Sequence, residues 1–248
     1  MFSLGRRLAG WAVHVYTASG SVLALLIVLA AIDGEVVTAL WIGLVALVVD
    51  GTDGMLARAA RVKETITWFD GARLDDIVDY LTYVFAPVVL LWTTGALPDG
   101  LPGYALAALP LMASCYQFCR ADAKTEDHAF LGFPSYWNVV AFYVVVLDLG
   151  RGTVAAVLVV CSVLVFVPVH YLYPSRTKTL RAVSLALTAV WIGTYAVLLV
   201  QYPDVNALVV AVSLGYVVYY VAVSLRLTAM ARHRRRAAGT GTPVDATP

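Results

Sequence analysis

The chain has 248 residues, of which 61% are hydrophobic and only 13% charged, for a formal net charge of +1, and its mean hydropathy is +0.81. A water-soluble domain carries roughly 45–50% apolar and about 25% charged residues, so the composition excludes a soluble globule, and the near-neutral balance gives no reason to expect a nucleic-acid partner. Long apolar runs parted by short polar ones point to an all-α integral membrane protein instead.

Crossing a hydrocarbon core of about 30 Å takes about 20 mainly apolar residues. In chain order the sequence predicts eight such spans, over 10–32, 36–57, 72–94, 103–121, 133–149, 152–171, 180–200 and 205–227. The first follows Arg6 and Arg7 as a signal peptide would, but it is too long for an ordinary h-region and is interrupted by His14, Tyr16, Thr17 and Ser19, so it is read as a retained helix. The fifth is the shortest. Turns at 32–35, 95–102, 149–152 and 202–204 fall on one side of the membrane and hold a single basic residue, Arg151, whereas every other Lys and Arg falls on the opposite side. By the positive-inside rule that side is cytoplasmic, which puts both termini in the cytoplasm of a multi-pass inner (cytoplasmic) membrane protein. Residues 1–230 read as one transmembrane domain and 231–248 as a basic cytoplasmic tail, without structure from Ala237 on. Its Arg-His-Arg-Arg-Arg run suits anionic lipid headgroups and equally suits a solvated tail that fixes topology. Cys115, Cys119 and Cys161 lie in apolar runs without a CxxC pair and read as packing residues.

The chemistry concentrates in residues 50–79. Asp50, Asp53, Gly54, Ala57 and Arg58 share one face of a helix continuing the second span, and Gly71, Asp75 and Asp79 share one face of a helix entering the third. The two helices are antiparallel neighbours joined by a short cytoplasmic loop, so the faces can meet. An ionised carboxylate at membrane depth costs about 2.5–3.5 kcal/mol even on lenient insertion scales. Arg58 alone cannot neutralise four. Oxygen-only ligation without His or Cys selects a hard cation, Mg²⁺ or Mn²⁺, and two ions about 3.5–4 Å apart suit phosphoryl chemistry. Gly54, Ala57, Gly71 and Ala72 thin the facing helices, which leaves a slot for a flat ring or a diphosphate; close helix packing uses the same small residues. Asp76 is one residue out of phase with the acidic face.

The pattern D-x2-D-G-x2-A-R followed by G-x3-D-x3-D resembles the signature of the CDP-alcohol phosphotransferase family, with all eight positions present from Asp50 to Asp79. The spacer from Ala59 to Asp70 is longer than the family's usual one and resembles that of the bacterial phosphatidylcholine synthase branch. Val13-His14, TASG at 17–20, LDDIVDY at 74–80, GFPSYWN at 132–138 and HYLYPS at 170–175 extend that likeness over most of the chain. The resemblance implies a six-helix catalytic core with two added spans, and a homodimer among membrane lipids. It further implies metal-dependent transfer of a phosphatidyl group from CDP-diacylglycerol to choline, releasing CMP. It assigns Asp50, Asp53, Asp75 and Asp79 to metal, Asp79 also to the base that takes the choline proton, and Asp50, Asp53, Gly54, Ala57, Arg58 and Gly71 to the CDP diphosphate. The active site then faces the cytoplasmic leaflet.

A quaternary ammonium is held by aromatic faces, and Tyr80, Tyr83, Tyr136, Trp137 and Tyr171 are the candidate choline-binding residues; an interfacial aromatic belt gives the same distribution. His14 and His170 read as hydrogen-bonded structural residues. Asp122, Glu126 and Asp127 could attract a cation or simply be a solvated loop. Arg176, Lys178 and Arg181 satisfy the positive-inside rule, but would also bind the phosphate of an acceptor such as glycerol 3-phosphate or inositol phosphate, which keeps these and serine as alternative acceptors. An ion or proton transporter is the alternative of another class. It would place its polar residues near the midplane in paired halves, and this sequence has no second acidic set.

Overall fold

The computed structural model describes residues 4–123, 125, 129–174, 177 and 180–239. It is a bundle of helices with one short two-stranded antiparallel sheet, whose strands are separated in the chain by two helices. Helices α1 (Leu4–Ile32) and α2 (Val36–Ala59) form an antiparallel pair, and a one-turn α3 (Val62–Thr65) leads to α4 (Gly71–Asp79). A π-helical stretch, Tyr80–Phe85, joins α4 to α5 (Ala86–Thr93), and α6 spans Leu101–Cys119. Then come β1 (Ala129–Leu131), α7 (Trp137–Val146), α8 (Arg151–Phe166), β2 (His170–Leu172), α9 (Arg181–Gln201) and α10 (Ala207–Gly239). Four helices, α1, α2, α9 and α10, are long and apolar enough to cross a membrane, and α7 and α8 are shorter apolar helices.

The turns at 33–35, 94–100, 147–150 and 202–206 fall where the sequence predicts connections. Arg151 ties two of them together, donating from Nε to the Gly95 carbonyl at 2.9 Å and reaching Asp99 at 3.4 Å. The core behind these turns is aromatic and aliphatic. Phe142 and Tyr195 stack with centroids 3.6 Å apart, and Leu90, Leu91, Leu158 and Leu198 are almost fully buried around them.

Three segments depart from the predicted helices. The third span is not one regular helix, because Pro87 has no N–H to offer the Tyr83 carbonyl one turn back, and the chain passes through the π-helical stretch before α5 begins. The fifth span shrinks to the ten residues of α7, between left-handed Ser135 at φ 61° and Asp148 at φ 46°. The sixth ends at Phe166 rather than at 171. Val167, the residue before Pro168, is extended at φ −87° and ψ 127°, as the proline ring requires, and 170–172 become β2.

β2 pairs antiparallel with β1 in the register Ala129↔Leu172, Phe130↔Tyr171 and Leu131↔His170. The sheet is tied down at both strands. Gln117 of α6 donates to the Leu131 carbonyl at 3.0 Å. Arg120 reaches the same carbonyl and grips Asp122 through Nε and Nη2 at 2.7 and 2.8 Å, which holds the Asp122 carboxyl below the usual carboxylate range. On the other side, His170 N–H donates to Thr228 Oγ1 at 2.8 Å and Leu172 N–H to Ser224 Oγ at 3.0 Å, both on α10.

After β1 the chain turns at Gly132, whose φ is +83°. Its amide donates to the Val169 carbonyl, and the Phe133 amide to the Leu164 carbonyl at the frayed end of α8. α10 continues through the basic run to Gly239, past Ala237 where the sequence predicts loss of structure; the rest of that tail, 240–248, lies outside the described residues, as do Glu126, Asp127, Arg176 and Lys178.

A Cβ on Gly132 would drive into the Val165 carbonyl, and its left-handed backbone disfavours any L side chain. Gly132→Ala is therefore expected to cost about 1–3 kcal/mol. The loss should appear as a lowered thermal midpoint in detergent, measured by size-exclusion recovery after heating.

Candidate metal and substrate site

The acids meet because three helices converge. α2 carries Asp50 and Asp53, α4 carries Asp75 and Asp79, and α1 packs across both. One carboxylate oxygen from each of Asp50, Asp75 and Asp79 lies within 4.8 Å of the others. Among the described residues this is the group of side chains that could hold a metal ion. All three are half-buried. At that separation two carboxylates repel by about 3 kcal/mol at an effective dielectric constant near 20. A hard divalent cation among them converts that repulsion into ligation, so the donor set fits the ion expected from the sequence.

Asp53 is held differently. It is 6% exposed and accepts a 2.8 Å hydrogen bond from Thr17 Oγ1 of α1. It also lies within hydrogen-bond reach of Asp75 and in the field of Arg58. It stands beside the group of three rather than in it. One residue before Thr17, Tyr16 bonds Thr52 at 2.9 Å, so α1 is pinned to α2 at two successive positions beside the acids.

α4 is set by its first residues. The Asp70 carboxylate caps it, accepting from the Ala72 and Arg73 amides at 3.1 Å each. Gly71 then allows α4 to lie against α1, for a Cβ there would sit 2.6 Å from His14 Cε1. Gly71 is thus a packing contact against a buried histidine. Gly20 does the same further along α1, where a Cβ would meet Val78. Gly54, by contrast, faces only the Arg58 side chain, and the exposed Arg58 and half-buried Ala57 continue that face outward. Asp76 stays outside the acidic group, as its phase predicts.

The longer spacer between the two halves of the motif is occupied. Ile66 packs where Gly10 leaves room, and Phe69 lies against His14 with centroids 4.5 Å apart. Trp11 meets His14, Trp68 and Phe69 at 5.7, 5.6 and 5.4 Å.

Of the aromatic candidates, the structure brings three together. The Tyr83 hydroxyl donates to Asp50 Oδ2, and its ring meets Tyr136 edge-on at 6.0 Å. Tyr136 interacts electrostatically with Asp50 and Asp79 and meets Tyr220 at 6.2 Å. Tyr220 in turn stacks on Tyr171. Tyr80 and Trp137 point elsewhere. The Tyr80 hydroxyl donates to the Leu111 carbonyl on α6. Trp137 is fully buried with its indole N–H on Ser114. Thr17, Tyr16 and Phe130 went unread as site residues in the sequence; a Thr and a Tyr on successive positions of an apolar span were the available signal for the first two.

No protein-family model matches the chain. It is 39% identical over 234 residues to a phosphatidylcholine synthase of Legionella pneumophila, covering 92% of this chain and 91% of the relative. A phosphatidylcholine synthase of Pseudomonas aeruginosa is 39% identical over 87% of this chain and 90% of its own length. One from Borreliella burgdorferi is 34% identical over 90% and 96%.

Removing the Thr17 hydroxyl leaves a buried Asp53 oxygen without its donor. Thr17→Val is expected to destabilise the protein by about 1–3 kcal/mol, while Thr17→Ser retains the bond and most of the stability. Thermal midpoints of the two variants in the same detergent make the comparison.

Proposed function

The chain belongs to the bacterial phosphatidylcholine synthase family of CDP-alcohol phosphotransferases, and we propose that its acidic cluster transfers a phosphatidyl group from CDP-diacylglycerol to choline, releasing CMP. The observation that carries the reading is the convergence of Asp50, Asp75 and Asp79 beside Tyr83 and Tyr136, in a chain whose relatives over nearly their whole length are phosphatidylcholine synthases.

In this reading Asp50, Asp75 and Asp79 hold one or two Mg²⁺ or Mn²⁺ ions, with Asp53 closing the shell from the α1 side. The bound cations supply fixed positive charge to the diphosphate as negative charge grows on the departing CMP. Arg58 and the open face at Gly54 and Ala57 take the nucleotide side of the donor. Asp79, at the inner end of the acidic face, accepts the proton of the choline hydroxyl. That oxygen forms a bond to the lipid-bearing phosphorus while the bond from phosphorus to the CMP oxygen breaks. One displacement balances the reaction. A single displacement of this kind passes through no covalent enzyme intermediate.

Choline cannot donate hydrogen bonds from its nitrogen. The π faces of Tyr83, Tyr136 and Tyr171, with the nearby carboxylates, match such a cation. A phosphorylated acceptor would need cations in this place, and the rings that meet Tyr136 are those of Tyr83, Phe130 and Tyr220, with Asp50 and Asp79 nearby. The reading includes eight spans around a six-helix core, with α6, α7 and α8 and the broken α4–α5 segment completing the four long helices. It also includes the acids on the cytoplasmic side of the inner membrane, and a homodimer.

Purified protein given CDP-diacylglycerol, choline and Mn²⁺ is expected to form phosphatidylcholine and CMP in equal amounts, and chelation of the metal to stop both. Asp75→Asn and Asp79→Asn should each lower the rate at least about a hundredfold, whereas Asp76→Asn should stay within about threefold of the parent. Turnover with serine or glycerol 3-phosphate in place of choline would replace the acceptor and keep the metal site. Well-folded, metal-loaded protein that releases no CMP with any acceptor would refute the enzyme.

A further inference from the structure

The tyrosines beside the acids do not end at Tyr171. Tyr136 is a hub. It meets Tyr83 from the α4–α5 segment, Tyr220 from α10 at 6.2 Å and Phe130 from β1 at 6.5 Å. Phe130 is stacked on Tyr173, just beyond β2, with centroids 4.5 Å apart. A continuous run of ring contacts therefore leads outward from the acid-bonded Tyr83 to the two strands and the last helix.

The strand pair is held in that position by a specific device. Tyr220, Ser224 and Thr228 are spaced four apart on α10 and share one face. The Ser224 hydroxyl donates to the Tyr220 carbonyl and the Thr228 hydroxyl to the Ser224 carbonyl, at 2.7 and 2.9 Å. Each hydroxyl has thereby spent its one proton and offers only lone pairs outward. These accept from Leu172 N–H and His170 N–H, the strand edge that β1 leaves unpaired. Both hydroxyl residues are buried. The pairing fixes β2, and with it Tyr171, Tyr173 and their partner Phe130, against Tyr136 and Tyr220.

We propose that the β1–β2 sheet and α10 form the outer wall of the acceptor site, that Phe130, Tyr173 and Tyr220 set its preference for a quaternary over a primary ammonium, and that Ser224 and Thr228 are the positioning residues that hold this wall. The proposal rests on the reading of the acids and of choline given above. The physical basis of the preference is hydrogen-bond satisfaction. A trimethylammonium loses nothing against ring faces and gains their electrostatic attraction. A primary ammonium loses hydrogen bonds to water that rings do not replace.

The test uses the full chain in nanodiscs with CDP-diacylglycerol and Mn²⁺, measuring initial rates over choline, dimethylethanolamine and ethanolamine. Phe130→Leu, Tyr173→Leu and Tyr220→Leu are expected to raise KM for choline by about threefold to thirtyfold. kcat should stay within about threefold, KM for CDP-diacylglycerol should be unchanged, and selectivity for choline over ethanolamine should fall. The Ser224→Ala, Thr228→Ala double variant should do the same, and the Ser224→Thr, Thr228→Ser double variant should restore choline KM. Tyr104→Leu, which removes a ring stacked on Trp92 outside this wall, should leave both KM values alone. An unchanged KM for the donor shows that a variant has kept its fold. Wild-type turnover of choline with unchanged choline KM in the wall variants overturns the wall, as does an equal rise in KM for the donor. A wild type that turns over CDP-diacylglycerol only with another acceptor overturns the choline reading, and the preference assigned to the wall falls with it.

Discussion

Carboxylate crowding inside a lipid-facing bundle is the constraint on which the rest of this structure depends. Asp50, Asp75 and Asp79 stand close enough to repel strongly, and Asp53 is buried beside them. Nothing in an apolar helix pair offsets that by itself. The bundle answers with donors from neighbouring elements: Thr17 of α1 for Asp53 and Tyr83 of the π-helical stretch for Asp50. Each donor requires its helix to come close, and closeness is obtained by deleting side chains. Gly71 yields to His14 and Gly20 yields to Val78. The small residues of the motif therefore divide by task, with Gly71 setting the spacing of α1 and α4 while Gly54 leaves the mouth of the site open.

Periodicity made much of this legible. The acids fall at helical intervals on two adjacent segments, and the turns between apolar runs are marked by Gly, Pro and Asp. What periodicity could not carry was any change of helical phase. The π-helical stretch from Tyr80 to Phe85 alters the facing of the residues after Asp79, so Tyr83 reaches Asp50 while Tyr80, adjacent to the acid in sequence, turns to the Leu111 carbonyl. Tyr136 and Trp137 illustrate the same point at a helix start. Tyr136 is the N-cap of α7 with non-helical dihedrals, φ −77° and ψ 56°, so it enters the aromatic surface while Trp137, the first helical residue, fills the core against Ser114. The two strands were hidden because Ala-Phe-Leu at 129–131 and His-Tyr-Leu at 170–172 carry no alternating pattern long enough to tell strand from helix; before β2 the chain is marked by Pro168.

That two-stranded sheet poses a problem particular to its surroundings. A strand edge among membrane helices must have its N–H groups satisfied by protein. β2 meets this on one side with β1 and on the other with the hydroxyls of α10. A helix recruited to satisfy a strand edge cannot drift from it, and α9 is bound to α10 through Ser184 to Tyr219 and Thr188 to Tyr216. The last two helices are thereby coupled through hydrogen bonds to the aromatic surface beside the acids.

The spacer between the two halves of the acidic motif follows the same logic from the opposite flank. A loop needed only to reverse the chain would be short and polar. This one folds a single helical turn, α3, and seats Ile66 and Phe69 on α1 at Gly10 and His14. Because His14 also carries Gly71 on its ring, the loop, the first helix and the start of α4 share one contact. Displacing Phe69 would loosen the support behind Gly71 and shift Asp75 and Asp79, which ride on the same short helix. The added length thus supplies a buttress for the acids, in the place where α4 has only an Asp70 cap to define its beginning.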